Sequence, residues 1–164
     1  MKQMDKMAKL FDAICENFMN AMPGHPWAPE TVQNNDKTLT LVTHCNQFVS
    51  GIANSLGYTS LSNRTADQIC AYVLTSPEWT NIQWDVAQSH ANNGAFVIAC
   101  QSANPHGHVC VIRPGVPLPS GHYGHPAPRC ANVGGEVFMD KTVSYAFRQE
   151  PQYYVLNSTL LEVA

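Results

Sequence analysis

Charged residues are scarce in this sequence of 164 residues, of which they make up 13%. The formal net charge is -3 at pH 7, and lysine and arginine form no run anywhere in the chain. Binding to nucleic acid or to anionic lipid requires concentrated positive charge, which this composition does not provide. The sequence therefore predicts no nucleic-acid partner and no electrostatic attachment to a membrane surface.

Long hydrophobic runs are also missing. No apolar segment approaches the roughly 20 residues that span a bilayer, so we expect no membrane insertion. The N-terminal segment MKQMDKMAKLFDAICENFMNAM lacks the uninterrupted apolar stretch of a secretory signal, because Asp12, Glu16 and Asn17 interrupt it. It is typical of an amphipathic helix instead. We therefore expect a protein that is made in the cytoplasm, with no visible signal peptide.

Hydrophobic residues make up 45% of the chain, which is enough for a buried core, and no internal repeat divides it. A chain of this length forms one compact domain, so residues 1–164 are interpreted as a single domain. Cysteines are spread along the sequence, several of them within apolar runs, at positions Cys15, Cys45, Cys70, Cys100, Cys110 and Cys130. This distribution indicates buried thiols and not a disulfide framework.

Helical patterns dominate the first part of the chain. The stretch LTLVTHCNQFVSGIANSLGY begins as a strand at Leu39 and turns into a helix at Cys45. Apolar residues then recur at helical spacing, and Gly57 stands where a glycine commonly ends a helix. Thr65, followed three residues later by Gln68, predicts a capping box that opens a second helix. A third helical segment, DVAQSHAN, comes before the predicted strands.

Strand-forming segments dominate the remainder. They read AFVIACQ (95–101), GHVCVIRP (107–114) and RCANVG (129–134), with VSYAF and YYVLN as two further candidates. The segment 23–37 is rich in turn-forming residues and predicts a loop. Helices first and an antiparallel sheet afterwards predict an α+β fold in which the N-terminal helices pack on one face of the sheet.

Cys45 is a candidate nucleophile, because unsatisfied N–H groups and the dipole at a helix start favour a thiolate. A thiolate that attacks an amide also needs an imidazole to protonate the leaving amine and a group that orients this imidazole. His108 opens an apolar strand, which would hold its ring on a rigid sheet edge. Asn132, on the next predicted strand, could bind the ring nitrogen that faces away from the thiol.

Two groups of residues are candidates for substrate binding. Asn46 and Gln47 follow the candidate nucleophile directly and would line the same cleft. His122, Tyr123 and His125 lie in a loop that contains three prolines and starts just after the strand of the candidate base. Proline restricts the backbone, so we expect this loop to form one wall of the cleft.

Four segments of the sequence together resemble the papain-like peptidoglycan amidases and endopeptidases of the CHAP and NlpC kind. These segments are THCNQFVSGIANSLGY, HANNGAFVIACQ, GHVCVIRPG and PRCANVGG, and the resemblance spans about residues 25–155. In that family the nucleophile is a cysteine at the start of a helix, the base is a histidine that opens a GHV strand, and a polar residue on the next strand orients the base.

The resemblance assigns these three roles to Cys45, His108 and Asn132. The third role varies among related enzymes, and Glu136 and Asp140 lie close to Asn132 in the sequence. A papain-like fold is the architecture that the resemblance implies.

The activity that the resemblance implies is that of a bacteriolytic cysteine hydrolase, with no metal ion and no cofactor. It would cut an amide bond in the peptide stem of bacterial peptidoglycan, as a muramoyl-alanine amidase or as a stem endopeptidase. The partner would be the stem peptide, with a cognate inhibitor or immunity protein as a further candidate. The place of action would be the periplasm or the cell wall, reached by export or delivery.

Two other interpretations remain open from the sequence. One is a binding module stabilised by zinc, because histidine and cysteine are zinc ligands. Several of them lie close together, at positions His106, His108, Cys110, His122, His125 and Cys130, although their spacing matches no established zinc-finger pattern. The other is a papain-like hydrolase that acts on a protein substrate, an isopeptide or a thioester, since one fold supports many substrates.

Overall fold

The computed structural model describes residues 8–9, 12–17, 19, 27–103 and 106–157 of the chain. The described residues before Trp27 are helical, in agreement with the amphipathic helix predicted there. Later helices have the bounds α1 Cys45–Ser55, α2 Ala66–Thr75 and α3 Trp84–Asn92, and a 3₁₀ turn spans Val143–Tyr145. Within the described ranges, no helix combines the length and the apolar character that crossing a bilayer demands.

The strands form one central sheet and two short hairpins. In chain order they are β1 Glu30–Gln33, β2 Leu39–Val42, β3 Trp79–Ile82, β4 Val97–Gln101, β5 His108–Ile112, β6 Leu118–Pro119, β7 Pro126–Ala127, β8 Arg129–Val133, β9 Val137–Thr142 and β10 Gln152–Leu156. β1 pairs with β2 and β6 with β7, whereas the central sheet has the order β3-β10-β4-β5-β8-β9. All of these pairs are antiparallel. The predicted α+β class with antiparallel strands is therefore confirmed.

Side chains of the central strands alternate between two cores. In β5, Val109 and Val111 belong to a first core shared with α1 and α2, whereas Cys110 and Ile112 belong to a second core shared with α3. The alternation follows from the period of two along a strand, and burial on both faces explains why these strands are apolar throughout. All six cysteines are buried and free, as predicted.

The prediction that the helices pack on one sheet face holds for α1 and α2 and is wrong for α3. β3 and β4 are both antiparallel to β10, which lies between them. The connection from β3 to β4 therefore has to cross β10, and a crossing of this kind runs over one face of the sheet. α3 makes the crossing on the face opposite α1, where its buried Ala87 and Ala91 belong to the second core.

Most of the predicted boundaries agree with the structure. α1 begins at Cys45 and is followed by Gly57, whose φ of +86° is in the left-handed region that favours glycine. The segments AFVIACQ, GHVCVIRP, RCANVG and YYVLN contain β4, β5, β8 and β10. Two expectations are wrong: the loop predicted at 23–37 contains β1, and VSYAF forms the 3₁₀ turn instead of a strand. β3 and β9 are short strands that the sequence analysis missed.

The predicted capping box closes the start of α2. The side-chain oxygen of Thr65 accepts a hydrogen bond from the Gln68 N–H at 3.2 Å. The Gln68 side chain in turn accepts one from the Thr65 N–H at 2.9 Å. These bonds satisfy backbone donors that a helix start otherwise leaves unpaired, so the box fixes where α2 begins.

Replacement of Thr65 by alanine tests the capping box. The Thr65→Ala variant loses the acceptor for the Gln68 N–H, and we expect its free energy of unfolding to fall by about 1 kcal/mol. Equilibrium denaturation in urea measures this loss. Thr65→Ser keeps the hydroxyl and should retain most of the stability, whereas equal losses in the two variants would show that the cap has no such role.

Candidate functional site

Cys45 packs against the place where two strands of the central sheet stop pairing. β5 and β8 are paired at Val111 and at the residue that follows it. The Arg113 N–H donates to the Arg129 carbonyl of β8, and N–H groups alternate in direction along a strand. The Val109 N–H therefore also points toward β8, and it lies near enough to the sulfur of Cys45 to lower the pKa of the thiol.

This contact puts the sulfur beside the peptide group that joins His108 to Val109. The backbone of the candidate base therefore lies beside the candidate nucleophile, although the two residues are far apart in sequence, and the His108 side chain does not line the pocket of Cys45. The Asn46 N–H and the Thr43 hydroxyl also lie near the sulfur and lower its pKa. Within the described part of the chain, the sulfur and the His108 ring themselves share no hydrogen bond.

Burial decides the resting state of the thiol. Cys45 is only 4% exposed, and burial raises the pKa of its thiol above the ordinary value of 9.0, against the opposing effect of its hydrogen-bond donors. The expectation that the helix start produces a thiolate is therefore wrong for the free protein. Desolvation penalises the charged form more than these donors stabilise it, so the resting side chain is a neutral thiol.

Asn132 fixes both the position and the tautomer of His108. The Nδ2 group of Asn132 donates to the Glu136 carbonyl at 2.9 Å. Its Oδ1 atom therefore faces the ring and accepts a hydrogen bond from Nε2 at 2.6 Å. A neutral imidazole carries one proton, and in this arrangement the proton lies on Nε2. Nδ1 keeps its lone pair and can accept a proton.

Two further residues enclose the His108 ring. The centroid of the Phe147 ring lies 4.9 Å from that of His108. Gly134 is so close that a Cβ atom added to it would lie 2.7 Å from Cε1 of the imidazole. Burial lowers the pKa of His108 below 6.5, and the hydrogen bond to Asn132 opposes this effect. The ring is therefore neutral near pH 7 and able to act as a base.

Cys45 is one of the residues that line a pocket of about 200 Å³. The walls on either side of it are Thr40–Thr43, at the end of β2, and His106–Gly107. The prolines of the loop 115–127 do not contribute, so the prediction that this loop forms a wall of the cleft is wrong for this pocket. The strand that leads into α1 takes that place instead.

Asp67 holds the segment that leads into His108. Its carboxylate accepts hydrogen bonds from the Gly107 N–H at 3.1 Å and from the Ala103 N–H at 3.3 Å. Gly107 has no room for a side chain, since a Cβ atom would lie 2.5 Å from Oδ1 of Asp67. The sequence analysis missed Asp67, because an acidic residue in the first turn is common to many helices.

The two polar residues predicted to line the cleft lie beside the pocket. Asn46 lines it, and its Nδ2 group donates to the Arg64 carbonyl at 2.9 Å. Oε1 of Gln47 lies 2.6 Å from Nδ1 of His44, within hydrogen-bonding distance. Asn46 can therefore contact a ligand in this pocket, whereas Gln47 does not line it.

The loop residues predicted to bind substrate lie on the other face of the sheet. Tyr123 packs against the second core, and its hydroxyl donates to the Phe147 carbonyl at 2.6 Å. His122 contacts the Tyr123 ring edge-on. Neither residue lines the pocket of Cys45. Tyr123 instead supports Phe147, whose ring contacts that of His108.

His125, the third of these loop residues, joins the loop to α3. Its ring stacks on Trp84 with the centroids 4.9 Å apart. Nδ1 lies 2.7 Å from the Pro126 carbonyl, and Nε2 lies 2.8 Å from a carboxylate oxygen of Glu150. Only the imidazolium form can donate to both acceptors. The hydrogen bond to Pro126, with a further contribution from Glu150, raises the pKa of His125 above 6.5.

The residues of the zinc interpretation are not gathered in one place. Among the described residues, no three histidine, cysteine, aspartate or glutamate side chains are arranged to hold a metal ion. His108 is bound by Asn132 and His125 by Glu150. The zinc interpretation therefore has no support from the geometry.

No known family model matches the chain, and no curated protein has a similar sequence. The arrangement of Cys45, His108 and Asn132 and the resemblance of four segments to papain-like hydrolases are therefore the two lines of support for a function.

An alanine at Gly134 should displace the base. We expect Gly134→Ala to push the His108 ring away from Asn132, with a loss of about 1–3 kcal/mol in the free energy of unfolding. Loss of the protected Nε2–H signal of His108 in the NMR spectrum measures the displacement. Gly135→Ala is the matched control, since a Cβ atom there would meet nothing within 4 Å. An unchanged signal in Gly134→Ala would contradict the close contact.

The contact between His125 and Glu150 should stabilise the fold in a manner that depends on pH. Because the pKa of His125 is raised in the folded state, its contribution is complete below the ordinary value of 6.5 and is lost as the pH rises through the raised value. A double-mutant cycle with His125→Asn and Glu150→Gln measures it by thermal unfolding. The coupling should be larger at about pH 6 than at about pH 9, and a coupling that grows with pH would contradict the assignment.

Proposed function

We propose that this protein is a papain-like cysteine hydrolase that cleaves an amide bond in the peptide stem of bacterial peptidoglycan, as a muramoyl-alanine amidase or as a stem endopeptidase. The observation that carries the proposal is the position of the Cys45 sulfur against the peptide group of His108, whose ring Asn132 holds with Nδ1 unprotonated. A nucleophile, a base and an orienting group are what amide cleavage by a cysteine requires. The choice of peptidoglycan comes from the resemblance of the four segments.

Proton transfer from Cys45 to His108 accompanies the attack on the substrate. Burial raises the pKa of Cys45 and lowers that of His108, so the resting pair is neutral. When a carbonyl is in place, the ring approaches the sulfur and Nδ1 takes the thiol proton, a contact that commonly tightens only in the complex. The start of α1, with the positive end of its dipole, faces the oxygen that becomes negative in this step.

The reaction then proceeds through a thioester. The sulfur of Cys45 bonds to the acyl carbon, the carbon–nitrogen bond breaks, and the imidazolium of His108 gives its Nδ1 proton to the leaving amine. A water molecule next loses a proton to Nδ1 and attacks the thioester. The acid is released, and the proton returns to the sulfur. Asn132 keeps the ring in the same orientation throughout.

Asn132 is the best candidate for the orienting residue. It contacts the imidazole directly at 2.6 Å. Glu136 takes part through its backbone carbonyl, which accepts from Asn132. The carboxylate of Asp140 is paired with Arg129 at 2.8 Å. The two acidic residues are therefore engaged in ways that leave the ring to Asn132.

A hydrolase of this kind would act where its substrate is, in the periplasm or the cell wall, after export or delivery. A cell that makes such an enzyme needs protection wherever the enzyme can reach its own wall. A cognate inhibitor or immunity protein is therefore part of the proposal as a second partner.

Digestion of purified sacculi tests the proposed function. The wild-type protein should release muropeptides whose masses identify the bond that is cut. Cys45→Ala should fold and lose essentially all turnover, because the attacking atom is missing. His108→Ala should lose as much, since residues that act as one unit give non-additive losses. Asn132→Ala should lose less, about 10–100-fold, because it only holds the ring.

His122→Ala is a matched control, as a histidine on the other face of the sheet, and it should keep its activity. More than a few per cent of wild-type turnover in a folded Cys45→Ala protein would exclude the covalent mechanism. Loss of activity in Glu136→Gln, with activity retained in Asn132→Ala, would move the orienting role to Glu136.

A further inference from the structure

The exposed face of α1 lines a second groove, next to the pocket of the candidate nucleophile. The groove has a volume of about 450 Å³. From α1 it takes Gln47, Ser50 and Asn54, which recur at helical spacing and so share one face. Ser62 and Asn63, in the segment between α1 and α2, lie in the opposite wall.

Charge is absent from this helix. None of the residues in the sequence CNQFVSGIANS of α1 is acidic or basic, although the exposed face of a surface helix normally carries charged residues. The groove offers amide and hydroxyl groups instead. Two of the amides have unused capacity, since within the described residues Nε2 of Gln47 and Nδ2 of Asn54 donate to no partner.

Arg64 also lines the groove, but its guanidinium group is already engaged. Its Nε donates to the Ser60 carbonyl at 2.8 Å, and the group lies over the Tyr72 ring, 4.1 Å from the centroid. These contacts fix the position of the group and leave its Nη atoms as the one cationic donor that lines the groove within the described part of the chain. All the other side chains in the lining are uncharged, and most of them are amides or hydroxyls, so the groove is best suited to a ligand that is rich in hydroxyl and amide groups.

The groove is continuous with the pocket at which cleavage is proposed. Asn46 and Thr65 line both of them. Asn46 follows Cys45 directly in the first turn of α1. A ligand in the groove would therefore lie beside a peptide whose amide bond is held at Cys45.

We propose that this groove binds the glycan strand of the substrate, a polymer of N-acetylated sugars whose hydroxyl and acetamido groups pair with Gln47, Ser50 and Asn54. This inference rests on the proposed function and adds that the enzyme recognises the sugar chain to which the stem peptide is attached. The stem itself carries several charged carboxylate and amino groups, for which the groove offers a single charged partner, Arg64. Binding of the polymer raises the effective concentration of the attached stems at Cys45.

Titration with soluble oligomers of N-acetylglucosamine tests the groove independently of cleavage. With the tetramer, the backbone amide NMR signals of residues 46–54 and 62–65 of the wild-type protein should shift. Ser50→Leu fills the groove with an apolar side chain and should weaken the affinity by about tenfold or more. Ser89→Leu, at an exposed serine of α3, is the matched control and should bind as the wild type does. Asn54→Ala removes one donor and serves as a second, milder variant.

A comparison of two substrates connects the groove to the reaction. The ratio of sacculus cleavage to cleavage of a soluble stem peptide should fall about tenfold in Ser50→Leu and stay at the wild-type value in Ser89→Leu. Absence of shifts, shifts confined to other parts of the protein, or an unchanged ratio would overturn the glycan site. If the wild-type protein binds the tetramer through these residues but cleaves neither substrate, the proposed hydrolase function fails and the assignment of the groove stands.

Discussion

The hydrogen bond between His108 and Asn132 is the contact on which the candidate site depends. Only one orientation of the Asn132 amide satisfies both of its partners. Nδ2 donates to the Glu136 carbonyl, so Oδ1 faces the His108 ring and accepts from it. This carbonyl lies in the tight connection between β8 and β9, where the strand register shifts between Cys130 and Asn132. The tautomer of the base is thus a result of backbone geometry, and Gly134 in the same connection makes room for the ring.

The site also depends on where the two cores of the molecule meet. Cys45 belongs to the first core, together with α2 and alternate residues of the central strands. His108 and Asn132 alternate with residues of that core and face the other way, and the His108 ring contacts Phe147 of the second core. β5 and β8 stop pairing before they reach His108. At this gap a thiol from one face of the sheet can approach an imidazole that is held on the other face. A fully paired ladder would have closed this passage with backbone hydrogen bonds.

The elements that carry the site could be predicted because their signals are local. The start of α1, its capping glycine and the apolar runs of β4 and β5 are readable within a few residues. The position of α3 could not be predicted from local signals, because it depends on β10, the last strand, which lies between β3 and β4. Asp67 and Gly134 were missed for a similar reason: their roles appear only when distant segments meet. The ionisation of Cys45 was inferred from the free N–H groups and the dipole of the helix start, whereas burial, a property of the tertiary structure, reverses the direction of the pKa shift.

The burial of the thiols has a consequence for the chemical durability of the protein. Burial raises the pKa of Cys15 to about 12 and that of Cys110 well above its ordinary value. Oxidants and disulfides react with thiolates far faster than with thiols, so these side chains are slow targets for oxidation. Burial also raises the pKa of Cys45, so its thiol has the same protection and stays reduced longer than a thiolate at that position would.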